Sequence, residues 1–362
     1  MIGTRPEAIK MAPVAHAIAA RGGRPTLVLT GQHPRLDPAE FGLSRLDAVR
    51  LHVPGEDDPH AHVGKVTSAL LPLLGVRPDL LVVQGDTSSA LGGALAGFSV
   101  GVPVAHVEAG LRTHDPHLPW PEEEYRVAID AHAELLFAPT ELAAANLEAE
   151  KVPGDIHITG NTGIDSLLAL EATLRPDMLH DSSRKRILVT CHRRESWEHD
   201  LEAIPAALRE LALDGTAHVT IVLHPNPYVA ETMRRQLDGL AHVSLIEPMS
   251  HRKLVQKMRD SELILSDSGG IQEEAPALGT PLLVLREKTE RPECLASGNA
   301  ILVGTSTERI VTEAKRLLDD PAAFAAMSRR AYPFGDGKAG PRIAAIIEDW
   351  IVEKRVSAAF QG

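Results

Sequence analysis

Short apolar runs rich in Val, Leu and Ile alternate with longer stretches whose apolar residues recur every three or four positions. This alternation predicts parallel strands joined by crossover helices. In the first half the predicted strands are 26–29, 80–83, 102–107, 135–138 and 156–159, and the predicted helices are 7–20, 61–74, 88–99, 122–133 and 140–148. The pattern lapses over 175–185, a polar stretch with a proline that reads as a linker. A second series follows, with strands 187–190, 220–223, 243–246, 263–265 and 282–285 and helices 201–213, 229–237, 252–260, 271–278 and 308–318. The expected class is α/β, as two Rossmann-like doubly wound domains. Ligands collect beyond the carboxyl ends of the strands in such sheets, so the expected site is a cleft between the domains.

Composition supports this class. Hydrophobic residues make up 44% of the 362 positions and aromatics only 3%, which suits α/β layers better than an aromatic-rich β-sandwich. The net charge of −12 excludes a general nucleic-acid or anionic-membrane surface, so any phosphate contact has to be local. Cys191 and Cys294 lack the close spacing of a metal pair or redox motif, the 17 histidines contain no H-E-x-x-H, and no dedicated metal site or cofactor is expected. No charged-then-apolar leader opens the chain and no apolar run approaches the ~18 residues of a membrane span, so a cytoplasmic enzyme is expected.

The strongest single signal is the stretch 263–281, "LILSDSGGIQEEAPALGTP". An apolar strand ends in Ser266-Asp267-Ser268, Gly269 and Gly270 allow close backbone approach, and a helix starts at once. Free N–H groups and the positive helix end then face an anion, most simply a phosphate. Glu273 and Glu274 fall in the first turn, where a carboxylate suits the dipole and can also accept ribose hydroxyls. A helix capped by Ser268 would explain the acids equally well, but capping does not require the two glycines. Arg286 and Arg291 in "REKTERPE" offer guanidinium groups for the same phosphates, or surface ion pairs with Glu287 or Glu290. Gly3-Thr4-Arg5-Pro6 reads as a strand-to-helix turn of the same kind, with Arg5 and Lys10 as basic groups and Gly3 letting the backbone come close.

Acidic residues in the first half stand at strand ends or helix starts: Asp86 in "VVQGDTSSA", Glu108 in "AHVEAGLRT" and Glu122 in "LPWPEEEYR". Capping explains Asp86 and dipole complementarity explains Glu122, whereas Glu108 follows an apolar strand directly. Gathered at one cleft, such carboxylates would drive their pKa values apart, as acid and base roles need. His224 is the first polar residue after a strand of the second half, and His192, Arg193 and Arg194 in "TCHRRES" occupy the analogous rim.

Taken in order, these stretches resemble the non-hydrolysing UDP-N-acetylglucosamine 2-epimerase family. The resemblance rests on GTRPEAIKMAP (3–13), GQH (31–33), QGDT (84–87), HVEAGLRT (106–113), PWPEE (119–123), ITGNTGID (158–165), HRRES (192–196), SDSGGIQEEAPALGTP (266–281), TERPE (289–293) and FGDGKA (334–339). It implies a fold like the B-type glycosyltransferases: an N-terminal domain over 1–170, a UDP-binding domain over 171–340, and a helix over 341–362 crossing back to the first. Ser268, Gly269 and Gly270 match the family's diphosphate turn and Glu274 its ribose ligand. Arg5, Lys10 and Arg291 match the nucleotide-sugar site, and Asp86, Glu108, Glu122 and His224 match proposed catalytic positions. Gln32, His33, His192 and Arg193 match an activator site of some bacterial members, although Pro34 and Arg35 break the pattern after GQH. Leu254 stands where many members have an aromatic against the uracil.

The implied reaction is reversible inversion of C2 of UDP-N-acetylglucosamine by elimination and re-addition of UDP, in a homodimer without nucleic-acid or membrane partners. A hydrolysing epimerase or glycosyltransferase of the same fold, or a catalytically silent nucleotide-sugar-binding protein, are the alternatives. In the family an apolar strand precedes the first turn, whereas here only Met1 and Ile2 do. The expectation is a natural start upstream, with Met1 an internal or mis-assigned methionine.

Overall fold

A computed structural model describes residues 1–175, 184–191, 202–215, 217–224 and 227–361. Most of the 175–185 linker lies outside the described residues. The chain divides into two compact units, Met1–Ser166 with Phe334–Gly362, and Leu167–Pro333.

The first unit contains a two-stranded parallel sheet, β1 (Leu27–Leu29) with β2 (Ala48–Arg50), and a four-stranded parallel sheet in the order β3 (Leu81–Gln84), β4 (Val104–Val107), β5 (Leu135–Ala138), β6 (Asp155–Ile158). β4 and β5 are buried at every position, which is why they read as unbroken apolar runs. Met1 and Ile2 occupy the slot between the two sheets. The Ile2 N–H donates to the Val28 carbonyl (2.8 Å), the Thr30 N–H donates to Ile2 (3.0 Å), and the Met1 amine donates to the Val82 carbonyl (2.7 Å). With that segment counted as a strand, the order reverses between it and β3.

Five helices surround these strands: α1 (Arg5–Ala20), α2 (Pro59–Leu70), α3 (Ser88–Val100), α4 (Glu122–Asp130) and α5 (Glu141–Glu150). The division between units falls within α6 (Thr162–Glu171). The single helix expected over 61–74 ends at Leu70 and tightens into a 3₁₀ turn over Leu71–Val76, since Pro72 cannot donate to an α-helical ladder. Ile343, Ile347 and Trp350 of the C-terminal helix, here α14 (Ala339–Gln361), pack with Ala8, Val14 and Leu29 in one core cluster.

The second unit is one six-stranded parallel sheet. Its strands are β7 (Lys185–Thr190), β8 (Ala217–Val222), β9 (Val243–Ile246), β10 (Leu263–Ser266), β11 (Leu282–Val284) and β12 (Ala300–Leu302), in the spatial order β12-β11-β10-β7-β8-β9. Strand order reverses between β7 and β10, which makes that crevice the topological switch point. The helices are α7 (Ala203–Leu213), α8 (Pro227–Leu237), α9 (His251–Arg259), α10 (Gly269–Leu278), α11 (Pro292–Ala296), α12 (Thr307–Asp319) and α13 (Pro321–Met327). Val189, Leu208, Val219, Leu263, Leu283 and Ile310 belong to its core.

Candidate active site

In the second unit the polar groups gather where β7 and β10 end. The Thr190 and Ser266 hydroxyls join the two strand ends at 2.7 Å, and the Ser268 N–H donates to the Ser266 hydroxyl (3.0 Å). Ser268 occupies the N-cap position of α10, yet its side chain makes no capping hydrogen bond. The first N–H groups of α10 therefore lack a side-chain cap, the condition that suits an anion.

The two glycines turn out to have different causes. A Cβ on Gly269 would lie 2.7 Å from an Arg291 guanidinium nitrogen, so this glycine makes room for Arg291. A Cβ on Gly270 would meet only the Ser268 hydroxyl at 3.9 Å, which leaves that backbone open to close approach.

Arg291 donates from Nε to Glu273 (2.6 Å) and from Nη1 to Glu290, and Glu290 also receives Arg286 (2.7 Å). All four residues are buried, so Arg286 and Arg291 form an internal ion-pair cluster and not the surface pairs their spacing allowed. Glu274 accepts from His251 Nε2 at 2.7 Å. Burial opposes a charge on His251, but the Glu274 carboxylate outweighs it and holds the imidazole pKa above its usual value. His224 is half-buried just beyond β8.

In the first unit the turns at the reversal of strand order are Gly3–Arg5 and Gln84–Thr87. Glu7 is buried between them. Its carboxylate accepts the Gly3 N–H (2.8 Å), the Thr4 N–H (2.6 Å), the Thr4 hydroxyl (2.9 Å) and the Thr87 hydroxyl (2.7 Å). Thr4 and Glu7 form a capping box on α1, and Thr87 caps α3, so one carboxylate ties two helix starts together. Burial raises the Glu7 pKa, against the lowering effect of these donors. A Cβ on Gly3 would stand 2.0 Å from the Ser89 hydroxyl, so its bareness is needed for packing on α3.

Lys10 Nζ donates to both oxygens of Glu108 at 2.7 Å, and the Gln84 side-chain amide donates to the same carboxylate. Glu108 adopts φ +71°, a left-handed conformation uncommon for a residue with a Cβ, just past the end of β4. Asp86 is paired with Arg126 (2.7 Å), whose Nε donates to the carbonyl of Glu122 at the start of α4 (3.3 Å). The structure thus groups Lys10 with Glu108, and sets the carboxylates of Asp86 and Glu123 on Arg126, which meets Glu122 at its backbone carbonyl. The neighbouring Glu123 is buried and accepts the Thr113 and His114 N–H groups at 2.9 Å, closing the preceding loop.

Arg5 does not join this group: it pairs with Glu40 (2.5 Å) and lies 5.6 Å from the Phe41 ring centre. Gln32 accepts from Ser89 (2.7 Å) and His33 Nδ1 accepts the Arg5 N–H (3.3 Å), while burial and then the Arg5 charge lower the His33 pKa. His192, Arg193 and Arg194 lie outside the described residues. Sequence reasoning missed Gln84, Arg126, Glu7 and His251. Of these only Gln84, a polar end to an apolar strand, and Glu7, three residues after a threonine, carried a local signal. Among the described residues no group of three or more His, Cys, Asp or Glu is placed to hold a metal ion, and no helix is long and apolar enough to cross a membrane.

Two parallel α/β units, each with polar side chains at its reversal of strand order, define a fold of the glycosyltransferase B type. The MurG protein of Acinetobacter baumannii, 13% identical with a TM-score of 0.59 over 96% of this chain and 97% of that one, shares that fold. A sequence model described as UDP-N-acetylglucosamine 2-epimerase matches residues 16–348. The UDP-N-acetylglucosamine 2-epimerase of Escherichia coli K12 is 43% identical over 364 residues, covering 95% of this chain and 96% of its own. The crystal structure of the Neisseria meningitidis UDP-GlcNAc 2-epimerase bound to UDP-GlcNAc superposes with a TM-score of 0.90 at 36% identity, over 96% of this chain and 98% of that one. The chain belongs to the UDP-N-acetylglucosamine 2-epimerase family and is an isomerase.

Proposed function

We propose that the enzyme reversibly interconverts UDP-N-acetylglucosamine and UDP-N-acetylmannosamine by eliminating and re-adding UDP. The C2 proton of the sugar is barely acidic, so direct removal is unpromising. Breaking the C1–O bond as a carboxylate takes the C2 proton gives a glycal plus UDP. Re-forming C1–O while a proton reaches the opposite face of C2 gives the epimer, with no net change in atoms.

The observation that carries this reading is the start of α10. Ser268, Gly269 and Gly270 present uncapped N–H groups at a switch point, with the Arg291 guanidinium against Gly269. This is the grip a departing diphosphate needs. Glu274 takes the ribose. Asp86, Glu108 and Glu122 manage the proton transfers and the oxocarbenium-like charge, with His224 as a further acid–base group and Arg5 and Lys10 against the nucleotide sugar. Lys10 neutralises Glu108 and Arg126 neutralises Asp86, so these two carboxylates are held with their charge compensated. Gln32 and His33 are proposed for regulatory binding.

Incubation with UDP-N-acetylglucosamine in heavy water tests the reading. Deuterium should appear at C2 of both epimers, and proton NMR should show UDP-N-acetylmannosamine accumulating. No exchange would mean a binder without turnover, and free N-acetylmannosamine plus UDP would mean a hydrolysing enzyme.

A further inference from the structure

His106 is a fully buried polar side chain within β4, whose other residues are Val104, Ala105 and Val107. Its Nδ1 lies 2.6 Å from one oxygen of Asp130, and its Nε2 lies 2.8 Å from the carbonyl of Gly85. The second Asp130 oxygen receives Arg112 (2.8 Å) and the Gly110 N–H (3.1 Å), and Arg112 continues to Glu150 at 2.7 Å. Burial works against the Asp130 charge, but His106 and Arg112 prevail and hold its pKa below the usual carboxylate value. A carbonyl and an ionised carboxylate can both only accept, so the ring donates at both ends, from Nδ1 to Asp130 and from Nε2 to Gly85.

The destination of that bond is informative. The Gly85 N–H donates to the Val107 carbonyl (3.0 Å). At Gly85, with φ +68°, the chain then turns away from the sheet, and the next residue is Asp86. His106 therefore grips the turn where it leaves the ladder, while Thr87 is held by Glu7 and Asp86 by Arg126.

We propose that His106 is a positioning residue: anchored on Asp130, it pins the Gly85 carbonyl and so sets the direction in which Asp86 is presented. The proposal rests on the assignment of Asp86 as a catalytic carboxylate. A ring serving only to fill the core would need no donor aimed at this turn.

The amide of an asparagine reaches about as far as Nδ1 of histidine, and that of a glutamine about as far as Nε2. His106→Asn thus keeps the Asp130 contact and loses Gly85, whereas His106→Gln keeps a donor at Gly85. In the C2 exchange assay His106→Asn should lower kcat by roughly 100-fold, the order of cost for a misplaced catalytic group, with KM nearly unchanged. His106→Gln should restore turnover to within about tenfold of the parent, and in an Asp86→Asn background His106→Asn should add nothing.

Equal losses in the Asn and Gln variants, or losses that multiply with Asp86→Asn, would overturn the role of His106. An Asp86→Asn enzyme as fast as its parent would strike the Asp86 assignment itself. Should the His106 variants not fold, the imidazole ¹⁵N signals of the unmodified enzyme decide, and an Nε2 without a proton overturns the proposal.

Discussion

Replacing Glu7 by alanine and by glutamine separates the two properties of this buried carboxylate, its shape and its charge. Alanine removes the acceptor of the Gly3 and Thr4 N–H groups, which are buried and bonded to Oε2 at 2.8 and 2.6 Å. Each orphaned donor costs about 1–3 kcal/mol, so with two of them Glu7→Ala should destabilise the first unit by about 2–6 kcal/mol.

Glutamine is different because the three donors of the first turn converge on Oε2, while only the Thr87 hydroxyl reaches Oε1. An amide oxygen placed at Oε2 keeps the first set, and an NH₂ at Oε1 can donate to Thr87, whose hydroxyl also accepts. Glu7→Gln should therefore stay close to the parent. The two should diverge with pH. Burial raises the Glu7 pKa in the folded protein above its ordinary 4.5. Between these values the folded state binds more protons than the unfolded chain, so the Glu7 contribution is complete below 4.5 and is lost as pH rises through the folded pKa. Glutamine does not titrate, so the difference should move in its favour across that window and then level off. Urea unfolding of the three proteins as a function of pH measures this, with hydrogen exchange at Thr4 as a local probe. If alanine and glutamine proved equally costly, the carboxylate would not be organising the two helix starts as described.

Gly269→Ala would put a methyl against the Arg291 guanidinium and should weaken UDP binding by calorimetry while leaving the fold intact, and unchanged affinity would count against the proposed grip. Glu108 sits at φ +71°, so Glu108→Gly should be more stable than Glu108→Ala by about 1 kcal/mol in chemical denaturation, although both abolish C2 exchange. The raised pKa of His251 beside Glu274 means that its contribution to stability is complete below about 6.5 and is lost as pH rises through the folded value, and His251→Gln should flatten that slope in thermal melts.

What the sequence disclosed follows from burial. Strands buried throughout, such as Leu135–Ala138 and Leu263–Ser266, announce themselves as apolar runs. Two of the edge strands do not: Ala48–Arg50 is exposed at all three positions, and Ala300–Leu302 is too short to show a period. The candidate carboxylates were legible because they sit immediately past strand ends or at a helix start. Their counter-charges were not, since Lys10 and Glu108 are 98 residues apart in sequence and only the pairing of the elements brings them together. The ion pairs of Arg291 were misjudged for the same reason, because its spacing from Glu287 and Glu290 suggested a surface pair whereas folding adds Glu273 and buries the cluster.

The two units share a plan of strand reversal, but the described helix starts beside that reversal are treated differently: α1 and α3 of the first unit carry side-chain caps and α10 of the second does not. In the first unit Thr4, Thr87 and Thr140 cap α1, α3 and α5, and Glu7 absorbs further donors at the first two of these starts. Donors committed internally cannot also hold a phosphate, so at the starts of α1 and α3 what this unit offers a ligand is its side chains. In the second unit Ser268 declines the cap at α10, and Ser266 instead takes up the Ser268 N–H and bridges to Thr190. Uncapped N–H groups are a liability in an isolated helix, worth about 1 kcal/mol of lost capping, unless an anion completes them. An anion at the start of α10 would complete these N–H groups, and on the function proposed above the diphosphate falls to the second unit and the proton chemistry to the first.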